Sequence, residues 1–453
     1  MKKGLEIVAN SPQRQSVTPC QASLMAIIHE RCGGESDSVN IMERYDVAVI
    51  GAGPAGLCCA IHAATPGHRI LLLEKMDSPG KKLLITGSGQ CNITHDGETL
   101  DFIEHYGEHG KFLKPALLSL TNRNLITFFY DHGLAMDTRK DGKVFPATRR
   151  SADVLSVLLH ECSRQGIDLR CSEPVCNIKK GPDGFEITTV HSQYLTVYLV
   201  IATGGLSYPA TGSNGDGYRF AAGLGHTTGE IAPALTPLVI KDYPFFELAG
   251  ISFSPMYFSI WREGKKIFHH TGDVLFTHNG LSGPGILDCS RNIRSGDEIR
   301  LSFTGRTPHD ELRHTLSKTA VSHAKRQVMS LLSHFHVPDR LAKKILDCTR
   351  IPRNLTCAHL SAAQRKNLIK NCTEFPLIIE ALGDFSCAMV TRGGVTLGEV
   401  NPITLESRIE KNLFFAGEVL DIDGDSGGYN LQAAFSTGWL AAQTIKKRYS
   451  PDR

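Results

Sequence analysis

Three glycines, Gly51, Gly53 and Gly56 in the run GAGPAG, can bring bare main chain against a charged phosphate. Gly51 allows a tight turn, Gly53 lets the backbone approach a pyrophosphate, and Gly56 lets the next helix pack close to its strand. Pro54 and Ala55 complete the turn. The free N–H groups and dipole of that helix then favour negative charge. Glu74, followed by Lys75, lies 18 residues beyond Gly56. A carboxylate there can accept both hydroxyls of an adenosine ribose and disfavours a 2′-phosphate, so FAD or NAD is implied rather than NADP. Three further glycine turns follow, in KKLLITGSGQCNITH (81–95), ATGG (202–205) and FAGEVLDIDGDSGGYN (415–430). Four such turns around one ligand suit a long cofactor, FAD. Only one complete GxGxxG–acid unit is present, so any NAD(P)H docks elsewhere or transiently.

The last turn carries further chemistry. Glu418 or Asp421 can accept hydrogen bonds from flavin ribityl hydroxyls. Gly427 to Asn430 open a helix whose positive end suits the flavin N1–C2=O edge. Its acidic run lacks a Glu at EF-hand spacing, and no CxxC exists, so no metal site is read. Tyr208 follows ATGG, and Tyr429 starts the last helix. Either hydroxyl is a candidate proton donor, or a plain aromatic wall. Arg392 precedes Gly393 and Gly394 and is a candidate to hold a substrate carboxylate or carbonyl, or to form an ordinary ion pair. Cys91 is read as a structural thiol before a redox partner, and His95 as a loop histidine before a general acid.

These residues need a scaffold. Tyr45–Ile50 reads as a buried parallel strand, Leu57–Ala64 as a helix and Arg69–Leu73 as a second strand, which together make a βαβ opening. Ser151–Arg164 reads as an amphipathic helix capped by Ser151. Ile167–Arg170, Val175–Lys180, Gly184–Val190 and Tyr194–Ala202 read as strands, the middle ones antiparallel. From 228 to 390 Pro and aromatics rise. Short strands (Leu235–Ile240, Pro255–Trp261, Lys266–His269, Glu298–Phe303) mix there with helical stretches at 308–334, 338–347 and 361–371. The α/β texture resumes with Leu413–Ala416 and a helix from Tyr429 to Lys447. The expected fold is therefore α/β: a Rossmann-like FAD-binding domain in two parts (42–227 and 391–453) around an insert at 228–390. Residues 1–41 have no periodicity and read as a disordered extension.

Composition narrows the function. Lys and Arg total 49 against 46 Asp and Glu, a net charge of +3 that gives no electrostatic footprint for nucleic acid. No apolar run reaches bilayer length and no secretory signal is present. The 13 scattered cysteines fit a reducing compartment, so the cytoplasm is expected.

The stretches DVAVIGAGPAGL, GKKLLITGSGQCNITH, KVFPAT, ATGGLSYPATGSNGDGYRFAAGLGH, GDVLFTHNGLSGPG, TRGGVTLGEVNP and FFAGEVLDIDGDSGGYNLQAAFSTG resemble the YhiN-like flavoprotein family. That family includes aminoacetone oxidases and proposed bile-acid reductases. The resemblance spans about residues 45–447. It implies an FAD domain split by a β-barrel-like domain and a small helical domain. It also implies roles by position. Lys81, Lys82, Gly87, Gly89, Cys91 and Asn92 would line the cofactor, Val175 would meet adenine, and Thr203 and Gly204 would close the adenosine side. Gly417, Glu418, Asp421, Gly428, Tyr429, Asn430 and Leu431 would hold ribityl and isoalloxazine. Gln90 stands where the family often has Arg, so any charged contact that Arg makes is lost here. The expected activity is NAD(P)H-driven reduction of an activated C=C in a small molecule. The rivals are a flavin amine oxidase for a small aminoketone, and a flavin-binding regulatory or RNA-associated protein.

Overall fold

Strand β1 (Glu43–Ile50) lies between β2 (Ile70–Leu73) and β9 (Gln193–Ile201), parallel to both. The computed structural model describes residues 42–305, 325–335 and 337–449, with 311, 314 and 318 between them. The expectations for residues 1–41 and for the helix beginning at 308 fall largely outside them. The sheet runs β6 (Asp168–Arg170), β2, β1, β9, β8 (Gly184–Thr189), β7 (Val175–Gly181), and β18 (Leu413–Phe415) also pairs with β9. β6, β2, β1, β9 and β18 are parallel, while β8 and β7 close one side antiparallel.

Period-2 alternation sorts the side chains into two layers. Val47, Val49, Ile70, Leu72, Val200 and Phe414 point to one face. It is covered by α1 (Pro54–Ala63), α5 (Ser151–Arg164) and α11 (Tyr429–Tyr449). Ala48, Ile50, Leu71, Leu73, Leu199, Ile201 and Phe415 point to the other, with residues of α3 (Gly110–Ser119) and α6 (Asp216–Gly223). α1 and α11 approach closely because Gly438 faces the Ala55 carbonyl, where a Cβ would sit 2.3 Å away. Ser151 is not the cap of α5. Arg150 occupies that position, and the Ser151 hydroxyl donates instead to the Leu84 carbonyl at 2.7 Å.

The insert holds a closed antiparallel barrel. Its order is β11 (Leu238–Ile240), β14 (Gly280–Ser282), β13 (Lys265–Phe276), β12 (Ser252–Arg262), β15 (Glu298–Ser302) and β16 (Phe375–Leu382). One core joins Phe258, Phe276, Ile299 and Ile379 to residues of α9 (Asp339–Cys348) and α10 (Ala362–Thr373). α8 (Val328–His334) leads into them. The short helix α7 (Pro284–Cys289) follows β14 and packs Ile286 and Cys289 into the barrel core. A ribbon of β10 (Ala232–Ala234) with β17 (Val390–Arg392) links the two parts. Sequence reading missed a small sheet of β3 (Thr94–His95), β5 (Lys143–Pro146) and β4 (Met136–Thr138), and the helices α2 (Lys81–Ile85) and α4 (Asn122–Asp131).

Candidate active site

The turn after β1 is fixed by sterics. Gly51 has φ +100°, and a Cβ there would lie 2.5 Å from the Ala202 carbonyl oxygen. A Cβ on Gly56 would lie 1.8 Å from the Gly51 oxygen, so Gly56 serves helix packing and does not face the cavity. A Cβ on Gly53 would meet no protein atom within 4 Å. Gly53 lines a cavity of about 690 Å³ at the start of α1. Pro54 and Ala55 line it too.

Glu74 directly follows β2 and has both oxygens engaged. It accepts from the Ala52 N–H at 3.0 Å and the Met76 N–H at 2.9 Å, which leaves further lone pairs toward the cavity. Glu173 stands on the cavity wall, accepting from Thr189 and Tyr194 hydroxyls, and was not anticipated from sequence. Val175, Thr203 and Gly204 line the same space.

Lysines are neutralised in place. Lys75 is paired with Asp216 at 2.8 Å, Lys81 with Asp77 at 2.7 Å and Lys82 with Glu418 at 2.7 Å. Glu418 also accepts from the Ser207 hydroxyl at 2.9 Å and the Thr391 N–H at 2.8 Å. It thus ties α2, the ATGG loop and β17 together. Gly87, Asn92, Gly417, Gly428, Asn430 and Leu431 complete that wall. A Cβ on Gly428 would lie 2.4 Å from the Thr94 carbonyl oxygen, which fixes glycine there. The Asn430 amide closes its own loop, donating to the Gly424 carbonyl at 2.9 Å and accepting from the Gly424 N–H at 2.8 Å.

Other singled-out residues stand elsewhere. The Tyr429 ring is absent from the cavity wall. It stacks on His105 at 3.9 Å and on His95 at 5.2 Å, against Phe102, and burial pushes its hydroxyl up to about 12. Arg392 donates to the Arg291 carbonyl at 2.8 Å and is likewise off the wall. Asp421 sits 4.0 Å from His109, and burial pushes its carboxyl above the usual range. Gly89 is off the wall as well. Cys91 is fully buried with φ +59°, and burial pushes its thiol up to about 12, the state of a structural thiol. Tyr208 does line the cavity. It holds a left-handed φ of +53°, fixed by its N–H on the Phe385 carbonyl at 2.8 Å and by the Thr211 hydroxyl on its own carbonyl at 2.7 Å. Strain of that kind in a non-glycine residue costs free energy and gathers at functional positions.

The barrel meets this wall through three acids and one arginine. Arg291 donates to Asp425 at 2.7 Å and to the Asp423 carbonyl at 3.3 Å. Asp288 accepts from the Ser426 N–H at 2.6 Å and hydroxyl at 3.1 Å. Asp425 is also 2.9 Å from His105. Burial pushes the Asp288 and Asp423 carboxyls upward. These contacts join segments far apart in sequence, and no local pattern announces them.

The cavity fits a dinucleotide. It offers a helix N-terminus behind a side-chain-free turn, a carboxylate held by two amides, and two buried oxygens, Thr203 Oγ1 and Asn92 Oδ1, that have no protein partner. Among the described residues no cluster of His, Cys, Asp or Glu could hold a metal, and no helix is long and apolar enough to cross a membrane.

Fold and cavity together define a Rossmann-type nucleotide-binding protein with a barrel insert. The chain belongs to the HI0933-like protein Rossmann domain family, whose model matches residues 45–444. This is a family of flavoprotein oxidoreductases. A 3-dehydro-bile acid delta(4,6)-reductase of Clostridium scindens is 31% identical over 414 residues, covering 89% of this chain and 99% of its own. A ribosomal RNA dihydrouridine synthase of Escherichia coli is 30% identical over 411 residues, covering 89% and 98%. Among solved structures, a 3-ketosteroid delta1-dehydrogenase of Sterolibacterium denitrificans aligns over 90% of this chain and 100% of its own, at 12% identity and a TM-score of 0.48.

Proposed function

We propose that this chain is an FAD-dependent reductase that takes electrons from NAD(P)H and saturates a C=C conjugated to a carbonyl. The observation that carries the reading is one cavity in which the Gly51–Gly56 turn, Glu74 and the Gly427–Gly428 turn meet an apolar rim. Ile85 and Met389, 43% and 46% exposed, belong to that rim and suit a hydrophobic acceptor. The names of both relatives denote loss of a ring double bond. In a 3-oxo-4-ene and in uracil alike, that bond is conjugated to a carbonyl.

FAD, when bound, supplies the hydride. The protein's part is binding and proton delivery. Gly51, Gly53 and the start of α1 hold the pyrophosphate, and Glu74 the adenosine ribose. Thr203, Asn92 and the Lys82–Glu418 pair hold the polar edge of the cofactor. Tyr208 is the candidate catalytic residue, its hydroxyl giving a proton to the carbon next to the acceptor carbonyl. Residues 42–227 and 391–453 carry the cofactor in this reading, and 228–390 shape the acceptor side.

Anaerobic absorbance tests it. The purified protein is expected to be yellow, to bleach within seconds on NADH or NADPH, and to recover its colour on a 3-oxo-4-ene steroid. Indifference to both nucleotides, with bleaching by aminoacetone and peroxide release in air, would make it an oxidase instead. A second reading changes only the acceptor, to a uracil ring in ribosomal RNA, and is favoured by the 30% identical relative. Recovery of colour on uridine-containing RNA, and not on the steroid, would select it.

A further inference from the structure

The cations of the cavity are not evenly balanced. Lys81 and Lys82 each have a carboxylate of their own, and Lys75 has Asp216, whose other partner, Arg219 at 3.5 Å, is off the cavity wall. Arg139 and Lys143 share one: Asp141 lies 3.5 Å from Arg139 and 3.1 Å from Lys143. Both belong to the β4–β5 hairpin and line the cavity with Phe145. Period-2 alternation puts Lys143 and Phe145 on one face while Val144 is buried behind, and Arg139 lies opposite Lys143 through an N–H···O bond of 2.9 Å.

The hairpin is held in place. His95 has one ring nitrogen 3.0 Å from the Asp141 carbonyl oxygen and the other 2.6 Å from the Asp96 carbonyl oxygen. A Cβ on Gly142 would strike the His95 ring at 2.2 Å, so the tip can pass there only as glycine. Phe145 borders Gly87, and His95 borders Gly427. The surplus positive charge therefore sits beside the turns assigned above to the reactive end of the cofactor.

We propose that Arg139 and Lys143 form an oxyanion subsite for the acceptor. It receives a carboxylate or phosphate carried by the molecule whose conjugated ring lies against Phe145 and the apolar rim. This rests on the reductase reading, because that reading puts the acceptor at this end. Two acceptors of shared chemistry are in play: a polycyclic ketone with a side-chain carboxylate, and a uracil nucleotide.

The test is binding to the oxidised holoprotein without donor, by flavin difference spectra and calorimetry. The probes are a 3-oxo-4-ene steroid acid and its methyl ester, and uridine 5′-monophosphate and uridine. The charged member of one pair is expected to bind about tenfold tighter than its neutral partner, the worth of one charge-assisted hydrogen bond. Arg139→Gln combined with Lys143→Gln is expected to erase that preference and leave the neutral partner's Kd in place. Which pair shows the preference names the source of the anion. No preference in either pair, a preference that survives the double substitution, or a change confined to NADPH titrations would overturn the proposal. If the double variant fails to fold, salt decides with the unmodified protein. Rising KCl must weaken the charged probe several-fold and spare the neutral one, and equal response of both overturns the subsite. A yellow, nicotinamide-bleached protein without charge preference would sink the subsite alone. A protein without flavin bands would sink the reductase reading.

Discussion

One end of the cavity is made of main chain, the other of charged side chains from distant segments. At the first, Gly51, Gly53 and Gly56 set the path, and Glu74 is held by two backbone amides. At the second, Arg291 and Asp288 of the barrel side grip the loop that carries Asp423, Asp425 and Ser426. The first is fixed by sterics, which pH and salt do not reach. The second is fixed by electrostatics, and its carboxylates are poorly relieved: burial pushes Asp288, Asp421 and Asp423 up. A charged cluster shared by β1 and β6 behaves oppositely. The Arg170 guanidinium holds Glu43 below the usual range, and against the cost of burial Arg170 and Tyr45 lower Asp168 as well. The contrast teaches that Arg170 relieves its carboxylates of the cost of burial, while Arg291 does not fully relieve Asp288 and Asp423.

The harshest break of that contrast is steric. Gly56→Ala puts a methyl where only 1.8 Å is free, and is expected to cost about 4 kcal/mol or more. The readout is loss of soluble, flavin-loaded protein, and a normal yield of holoprotein would refute the steric account. Next comes Arg291→Met, which leaves Asp423 and Asp425 short of their cation. A loss of about 3 kcal/mol is expected in denaturant unfolding, and a midpoint equal to the parent's would show the grip to be ornamental. Tyr208→Phe tests chemistry without packing: kcat should fall about 100-fold with acceptor Kd and unfolding midpoint unchanged. A drop in affinity with kcat intact would assign the ring to binding.

The smallest effects carry opposite signs. Asp288 is raised in the folded state, so its ionisation costs stability at neutral pH, and the cost is relieved as pH falls through the raised value toward 3.8. Asp288→Asn should therefore unfold about 2 °C higher at pH 7, with the gain shrinking as pH approaches 3.8. Glu43 is lowered, so its contribution is full above 4.5 and is lost as pH falls through the folded value. Glu43→Gln should cost about 0.5 kcal/mol or less at pH 7, given its exposure, and nothing in strong acid. Shifts of the same sign in both variants would erase the distinction.

How much of this was legible follows the same division. β1, α1 and β2 announce themselves because the strand runs, the glycines and the terminal acid are local. The barrel showed as a change of texture, with β13 reading as Lys266–His269 instead of Lys265–Phe276 because its far half carries His, Thr, Gly and Asp. The hairpin was illegible as structure, since three- and four-residue strands carry little periodicity. Tyr429 was placed near the cofactor by its position, yet at the first turn of a helix one residue's step rotates a side chain by about 100°. Asn430 and Leu431 reach the cavity and Tyr429 turns to the histidines. The Arg291 and Asp288 contacts had no signal at all, because a salt bridge across more than a hundred residues leaves no spacing to read.

The path of the chain has a consequence for its synthesis. β18 completes the parallel sheet beside β9, and α11 covers α1 and closes the cavity with Gly428, Asn430 and Leu431. A ribosome thus emits the first turn several hundred residues before the wall opposite it. A nascent or prematurely terminated chain can shape Gly51–Gly56 but has nothing to shut the cavity against. Yellow colour in a cell extract would then report chains made past α11, and the interval before α11 emerges is when chaperones have most to shield.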